Sequence, residues 1–204
     1  MSFQWIIDNA VDISISRKDI VAQTVARDNT VRAISRGGNV WKFSVTPSPG
    51  TFWQNSRGYI AAIEKLNRIS PALINFSKSG LEYLFKYQGN AFSTAGWVGT
   101  VVKNSTSFTC TNTVTSGYRF KAGDIVKFAG NTTVYTVTED VLYNQTTVPV
   151  NRPLVMDNGI YNMTVGSDCN FYVICTTMPN YTITPLGIIT WNGVFEFSEF
   201  LPWA

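Results

Sequence analysis

The stretch Val40–Asn67 limits what this chain can fold into more than any other part of it. Apolar Trp41, Phe43 and Val45 alternate with polar residues, and a period of two is typical of a half-buried β-strand. A proline-rich break begins at Pro47. Because proline has no N–H to donate, the strand cannot continue through it. The sequence therefore predicts a strand, a sharp break and then a new element.

The second half of this stretch, Thr51–Asn67, predicts an amphipathic helix. Thr51 with Gln54 matches a capping box. The apolar residues that follow at helical spacing form the predicted inner face, namely Phe52, Tyr59, Ile60, Ile63 and Leu66. No other segment predicts a helix as clearly. We therefore expect a mainly β fold in which one flanking helix covers a sheet.

The absence of histidine excludes much of hydrolytic chemistry. Without imidazole there is no Ser–His or Cys–His pair and no His–metal arrangement. A pair of carboxylates could still work, but of the 13 acidic residues only Glu139 and Asp140 are adjacent. Neighbours on a strand point to opposite faces. We therefore expect no enzymatic activity, no catalytic residues and no cofactor.

The three cysteines predict neither a disulfide nor a metal site. Cys169 and Cys175 lie on one predicted strand, where six residues span about 20 Å. A disulfide needs Cα atoms within about 7 Å. Cys110 is distant in sequence from both. We expect three buried, free thiols in a reducing compartment.

Charge and hydropathy limit the range of partners. The net charge is +3 and only 14% of residues are charged, which is too little to predict a nucleic-acid partner. No segment approaches the roughly 18 apolar residues of a membrane span, so we expect no membrane insertion. Met1–Asp8 has no basic region followed by an apolar run, so we expect no secretion signal and synthesis in the cytoplasm.

Segments of strand character surround the helix in three groups. The first group flanks it, and its members beside Val40–Thr46 are Ser2–Asp8, Asp12–Ser16, Ile20–Arg27, Val31–Ser35, Ala72–Ser77 and Leu81–Tyr87. The second is Thr- and Val-rich, with a turn about every 10 residues: Trp97–Lys103, Ser107–Val114, Asp124–Phe128, Thr133–Thr138 and Thr146–Asn151. The third is Tyr161–Val165, Asn170–Thr176, Tyr181–Thr184, Gly187–Trp191 and Val194–Glu199.

This rhythm favours a domain inserted into another domain. Residues 1–91 and 160–204 would form a discontinuous β domain that includes the helix, and residues 92–159 a small β module. Five short strands suit a closed barrel of the oligonucleotide/oligosaccharide-binding (OB) type, although other five-strand modules fit the pattern equally. Two sequential domains are the alternative, but the last residues are too few and too apolar to fold alone.

The aromatic residues of the inserted module allow two kinds of function and one purely structural role. Aromatic platforms beside a basic groove bind single-stranded nucleic acid, but acidic residues are interspersed with the basic ones here. The same side chains could stack on sugar rings, which requires no net charge. Packing inside a small barrel is the third possibility. The candidate carbohydrate-facing residues are Trp97, Tyr118, Tyr135 and Tyr143.

Several segments together resemble one viral protein family. They are VWKFSVTPSPGTFWQNSRGYIAAIEKLN, PALINFS, GWVGTVVKNSTSFTCTN, FKAGDIVKFAGNTTVYTVTEDV, TTVPVNRPLV and DCNFYVICTTMP. They are similar to distal tail proteins of long-tailed bacteriophages, and most of all to those of T-five-type siphophages. The resemblance covers essentially the whole chain. Its motifs are diffuse, and none of them is a catalytic or ligand signature that could be carried over.

The resemblance implies a structural role in the virion. Proteins of this family form hexameric rings between the tail tube and the tip or baseplate, at the distal end of the tail. Their discontinuous domain is a tail-tube-like β-sandwich with a flanking helix, and the inserted OB-like barrel lies outside the ring. The implied partners are further copies of the chain, the tube protein, the hub protein, and fibre or collar proteins. Contact between the barrel and a host surface polysaccharide is the alternative function.

Overall fold

The computed structural model describes residues 3–18, 21–25, 31–35, 40–66, 70–78, 80–112 and 114–201. The chain is mainly β, as predicted, and consists of several antiparallel sheets, one of which curls into a half-barrel. It divides into two compact units. The first unit comprises Met1–Asp8, Pro71–Val173 and Phe200–Ala204, and the second comprises Asn9–Ser70 and Ile174–Glu199.

The elements follow one another in this order: α1 Gln4–Asp8, β1 Ala10–Lys18, β2 Val21–Val25, β3 Val31–Ser35, β4 Val40–Pro47, β5 Thr51–Phe52, α2 Trp53–Lys65, β6 Ala72–Ile74, a 3₁₀ turn Glu82–Phe85, β7 Val98–Val101, β8 Ser107–Thr109, β9 Tyr118–Phe120, β10 Ile125–Phe128, β11 Val134–Thr136, β12 Val141–Leu142, β13 Thr147–Pro149, β14 Gly159–Val165, a 3₁₀ turn Gly166–Asp168, β15 Phe171–Thr177, β16 Tyr181–Ile183, β17 Ile188–Trp191 and β18 Phe195–Glu199.

The centre of the second unit is strand β4, which lies between β1 and β18. Its inner side chains Trp41, Phe43 and Val45 are buried, while Lys42 is exposed. The predicted strand and the side that it buries are therefore confirmed. Phe43 is paired across the sheet with Phe197 of β18, and both are about 1% exposed. The alternation of apolar and polar residues along β4 matches this burial, because the apolar side of the strand is the buried one.

Helix α2 begins two residues later than predicted and buries a narrower face. Thr51 and Phe52 form the short strand β5 against β17, and no side chain caps the helix. Instead the Trp53 N–H donates to the Gly187 carbonyl, at 2.8 Å. A backbone acceptor in the turn just before β17 thus replaces the predicted capping box. The predicted end at Asn67 lies outside the described residues.

Two of the five residues predicted for the inner face of the helix lie on its outer surface. Ile60 and Ile63 are buried as predicted, and Leu66 is half-buried. Phe52 and Tyr59 are 56% and 49% exposed, so their assignment to the inner face was wrong. Phe52 precedes the helix, and Tyr59 lies on a different side of it from the buried residues.

Some strands of the second unit have unpaired edges. Among the described strands, β1 has β4 as a neighbour on one side only, and β2 and β3 pair with each other alone. The hairpin is antiparallel, from Val21 opposite Ser35 to Val25 opposite Val31. A two-stranded hairpin by itself is marginally stable in water, and a long edge strand is a template for further pairing.

The first unit is built around a six-stranded antiparallel sheet, ordered β11–β10–β14–β7–β8–β13. The ribbon formed by β9 and β12 is a separate two-stranded sheet. The core of the first unit contains aromatic rings in edge-to-face contact. The ring centres of Phe108 and Phe128 are 5.1 Å apart, and those of Trp97 and Phe120 are 5.4 Å apart. Gly99 lets these rings approach the sheet, since a Cβ there would lie 2.7 Å from the Phe128 ring.

The compact units divide the chain at positions other than the predicted boundaries 91/92 and 159/160. Strand β14 was placed in the discontinuous domain, but it pairs with β7 and β10 inside the first unit. The first unit also contains β6, which pairs with the beginning of β15, from Ala72 opposite Val173 to Ile74 opposite Phe171. The unit therefore extends well beyond the predicted module.

Two segments predicted as strands are helical. Residues 4–8 form α1, because Phe3, Ile6 and Ile7 have the i, i+3, i+4 spacing that buries one side of a helix, and all three are buried. Residues 82–85 form a 3₁₀ turn, in which Phe85 packs on Phe76 and Phe171. Alternation over so few residues did not distinguish these conformations.

Candidate functional site

The four aromatic residues predicted to face a carbohydrate separate into two pairs. Trp97 and Tyr135 are 4% and 0% exposed and belong to the core of the first unit. They are therefore excluded as surface platforms, and the packing interpretation is correct for them. Tyr143 is 45% exposed and Tyr118 is half-buried. Only this second pair can reach a ligand.

Exposed apolar side chains occur in the segments next to Tyr118 and Tyr143. Leu142 lies opposite Tyr118 in the β9–β12 ribbon, where the register shifts between Val141 and Leu142, and the Lys121 ammonium lies 5.1 Å from the centre of the Tyr118 ring. The Tyr143 N–H donates to the Gly117 carbonyl, at 3.0 Å. Phe92, which is fully exposed, lies two residues after an asparagine that is bonded to Tyr118.

Asn90 holds the Phe92 loop against strand β9. Its N–H donates to the Tyr118 carbonyl and its Oδ1 accepts from the Tyr118 N–H, both at 2.8 Å. The loop approaches so closely that a Cβ on Gly117 would lie 2.3 Å from Asn90 Oδ1. Gly117 also has a φ of 73°, which favours glycine. These paired hydrogen bonds hold the chain at Asn90, two residues before the exposed Phe92.

Arg119 holds the turn that carries Tyr143. It is 5% exposed, and its guanidinium donates to three carbonyls. Nη1 contacts the carbonyls of Cys110 and Asn112 at 2.6 and 2.7 Å, and Nη2 contacts that of Tyr143 at 2.7 Å. One buried cation on β9 thus joins the segment that contains Cys110 and Asn112 to the turn at Tyr143. No pattern in the sequence distinguished this arginine from a surface one.

A cleft of about 390 Å³ lies along the segment that carries Tyr143. We call it the 139–149 cleft. Its polar lining consists of two carboxylates, two amides and two hydroxyls, on Glu139, Asp140, Asn144, Gln145, Thr146 and Thr147. All six residues are exposed. Gln145 Oε1 accepts from the Leu142 N–H at 2.8 Å, so the turn between them is held by its own side chain.

Half-buried Tyr87 and buried Asp124 both make hydrogen bonds to the backbone in and beside strand β9. Tyr87 Oη donates to the Arg119 carbonyl at 2.5 Å. The Asp124 carboxylate accepts from the N–H groups of Gln88 and Lys121, at 2.9 and 2.8 Å. Burial raises the pKa of Asp124 despite these hydrogen bonds, and burial is also the main cause that raises the pKa of Tyr87 to about 12. Both groups have structural partners.

The raised pKa of Tyr87 predicts a pH dependence of stability. The folded state favours the neutral phenol of Tyr87 over the phenolate. The contribution of this preference to the stability of the fold is therefore complete below the ordinary pKa of 10.0, and it is lost as the pH rises through about 12. We expect tyrosinate absorbance to show one tyrosine that ionises near pH 12, and Tyr87→Phe to remove that transition. A titration unchanged by Tyr87→Phe would contradict this assignment.

The second unit contains a hollow of about 340 Å³ on its sheet, between β1, β4 and β18. Small hydroxyl side chains line most of it, and its charged groups are Lys42 and Glu196. A single acid opposite a lysine is not the carboxylate pair that glycoside hydrolysis requires. The hollow therefore offers polar surface without an evident reaction.

The thiols and other possible ligand groups are distributed through the chain. Cys110, Cys169 and Cys175 are free and buried, as predicted, and burial raises the pKa of Cys169. Within the described residues, no three His, Cys, Asp or Glu side chains are close enough to hold a metal ion. None of the helices in that part of the chain is long and apolar enough to cross a bilayer.

No protein-family model matches the sequence, and no curated protein matches it.

Proposed function

We propose that this chain is a structural protein of a bacteriophage tail, one subunit of a ring at the junction of the tail tube with the tip or baseplate. The ring is a hexamer in the distal tail proteins that the sequence resembles. Its neighbours would be further copies of the chain, the tube protein, the hub protein, and fibre or collar proteins. The chain would act in the virion, at the distal end of the tail, by holding other proteins in place.

The observation that carries this proposal is the set of unpaired strand edges in the second unit. Strand β1 has nine residues and one described neighbour, and the β2–β3 hairpin has none beyond itself. Such edges favour pairing with another chain. When one such contact joins unlike surfaces, repeated copies close into a ring if the rotation divides a full turn. Residues 2–36 and the rim of α2 would supply these contacts.

The finer fold assignments belong to the same proposal. In it, the strands around β4, together with α2, are the tail-tube-like β-sandwich, and the first unit contains an OB-like barrel. The aromatic core enclosed by the six-stranded sheet supports the barrel. The buried face shared by β4 and its neighbour β18 supports the sandwich, because a sheet face that is this buried needs a second layer over it.

A charge placed on the edge of β1 tests the ring contact. Val11 is 65% exposed, at the bulge where the register of β1 shifts. We expect Val11→Asp to change the free energy of unfolding of the isolated chain by less than about 0.5 kcal/mol. In phage particles assembled with this variant we expect few complete tails, counted by electron microscopy.

The matched control is Val102→Asp, at a residue that is 56% exposed in the first unit. It introduces the same charge away from the strand edges and should leave tail assembly intact. Normal tails with Val11→Asp would argue against β1 as a ring contact.

A further inference from the structure

We propose that Asn192–Gly193 is a site of spontaneous deamidation, at which the asparagine is converted to aspartate and isoaspartate without an enzyme. The chain contains two Asn-Gly pairs, Asn158–Gly159 in the first unit and Asn192–Gly193 in the second. The structure holds the first pair and leaves the second free to react. This inference goes beyond the ring and does not depend on it, because it rests on the chemistry of single turns.

The reaction needs only the two residues and water. The Gly193 backbone nitrogen attacks Cγ of the Asn192 side chain, its proton passes to the amide nitrogen, and ammonia leaves as a cyclic succinimide forms. Water then opens the ring at either carbonyl. One opening gives aspartate, and the other gives isoaspartate, in which the backbone runs through the side-chain carbon. Glycine favours the attack, because it has no Cβ to crowd its nitrogen.

The second pair is exposed and unrestrained. Asn192 and Gly193 are both exposed, in the turn between β17 and β18. The Asn192 side-chain amide and the Gly193 N–H make no hydrogen bond to any residue that the structure describes. The Asn192 N–H donates to the Asn180 carbonyl at 2.8 Å. This bond fixes the start of the turn, while the two groups that react with each other stay free.

The first pair is held at both of the groups that would react. Its asparagine Oδ1 accepts from the Lys103 N–H at 2.8 Å. Its glycine, Gly159, lies opposite Val101 in the β7–β14 ladder. Just beyond the other end of β7, the Met163 N–H donates to the Trp97 carbonyl at 2.9 Å, and hydrogen-bonded pairs recur at every second residue of an antiparallel ladder. The Gly159 N–H therefore lies at a hydrogen-bonded position.

Isoaspartate in the second pair would disturb the second unit. It adds one methylene to the backbone between β17 and β18, and a carboxylate beside it. Trp191 and Phe195 lie on the two sides of this turn with their ring centres 4.9 Å apart, and Phe195 is fully buried. The added length must be absorbed between these two rings, so we expect the converted chain to unfold at a lower temperature.

The test follows both pairs in the full chain during incubation at mildly alkaline pH, by mass spectrometry of protease digests. We expect Asn192 to be converted at least about tenfold faster than Asn158, because two hydrogen bonds must open before Asn158 can react. In concentrated urea the two pairs should react at similar rates. Methylation by an isoaspartyl methyltransferase distinguishes isoaspartate from aspartate among the products.

The matched control is Asn192→Ser, which removes the reacting amide from an exposed position. This variant should keep its initial unfolding temperature through the incubation, whereas that of the wild type should fall. Equal conversion of the two pairs in the folded chain would overturn the proposal, and so would an Asn192 that stays unchanged while the chain in urea reacts. An unchanged unfolding temperature of the converted wild type would overturn the expected effect on the second unit.

Discussion

Ile63→Asp is expected to lower the free energy of unfolding by about 4 kcal/mol. Ile63 is 2% exposed, on the inner face of α2 together with Ile60 and Ser56. A carboxylate there would lose its hydration without gaining a partner, and the methyl contacts of isoleucine would be lost as well. The measurement is urea unfolding of the full chain, followed by circular dichroism. We expect much of the purified variant to be unfolded or aggregated.

The control on the same helix is Tyr59→Asp. Tyr59 is 49% exposed, so the charge stays hydrated and the expected cost is below about 1 kcal/mol. The pair also tests which side of the helix is buried, because the sequence pattern assigned both residues to the inner face. Equal costs for the two substitutions would contradict the orientation of α2 described above.

Arg119→Met is expected to cost about 3–5 kcal/mol, because it leaves three carbonyls without their donor. Methionine has a similar volume and no charge, so the loss reports the hydrogen bonds rather than a cavity. Buried carbonyls that lose a charged partner pay most of their desolvation cost. Urea unfolding measures the cost. Hydrogen exchange should also show faster exchange of the Tyr143 N–H, because the turn loses its anchor.

Arg119→Lys separates charge from geometry at the same position. Lysine keeps the positive charge, but it lacks the planar guanidinium whose two terminal nitrogens contact the three carbonyls. We expect an intermediate loss of stability. If Arg119→Met were as stable as the wild type, the hydrogen bonds from this guanidinium would not be what holds the Tyr143 turn.

Strand positions in this chain were largely predictable from local pattern. The hairpin strand β3 has the predicted bounds Val31–Ser35, and β4 extends one residue beyond the predicted Val40–Thr46. Alternation predicts β4 because the side chains on one side of this strand are buried and those on the other are not. The short strands β9 and β12 were not predicted.

Features that depend on distant residues were not predictable. The start of α2 is set by the carbonyl of Gly187, more than a hundred residues along the chain from Trp53, so the local capping pattern was misleading. The assignment of β14 to the first unit depends in the same way on its pairing with β7 and β10. Sequence order placed this strand on the other side of a predicted boundary.

In the candidate site, too, some features follow from neighbouring residues and others depend on distant ones. Tyr143 and Asn144 form a turn by sequence, and Phe92 lies in the polar segment Gln88–Ala95, so their exposure could have been inferred from their neighbours. Tyr135 lies on β11 and Trp97 lies just before β7. The polarity of the neighbouring residues does not distinguish the two sides of these strands, so the burial of the two rings could not have been inferred. The role of Arg119 appears only when the three carbonyls are brought together in the fold.

Cryo-electron microscopy of purified tails would show whether the chain is one subunit of a ring at the tube–tip junction. We expect a sixfold ring of density at that junction, into which six copies of the chain fit, with strand β1 or the β2–β3 hairpin of each copy contacting the next. Absence of the chain from the particle, or its placement along the tube shaft or on a fibre, would rule out this role.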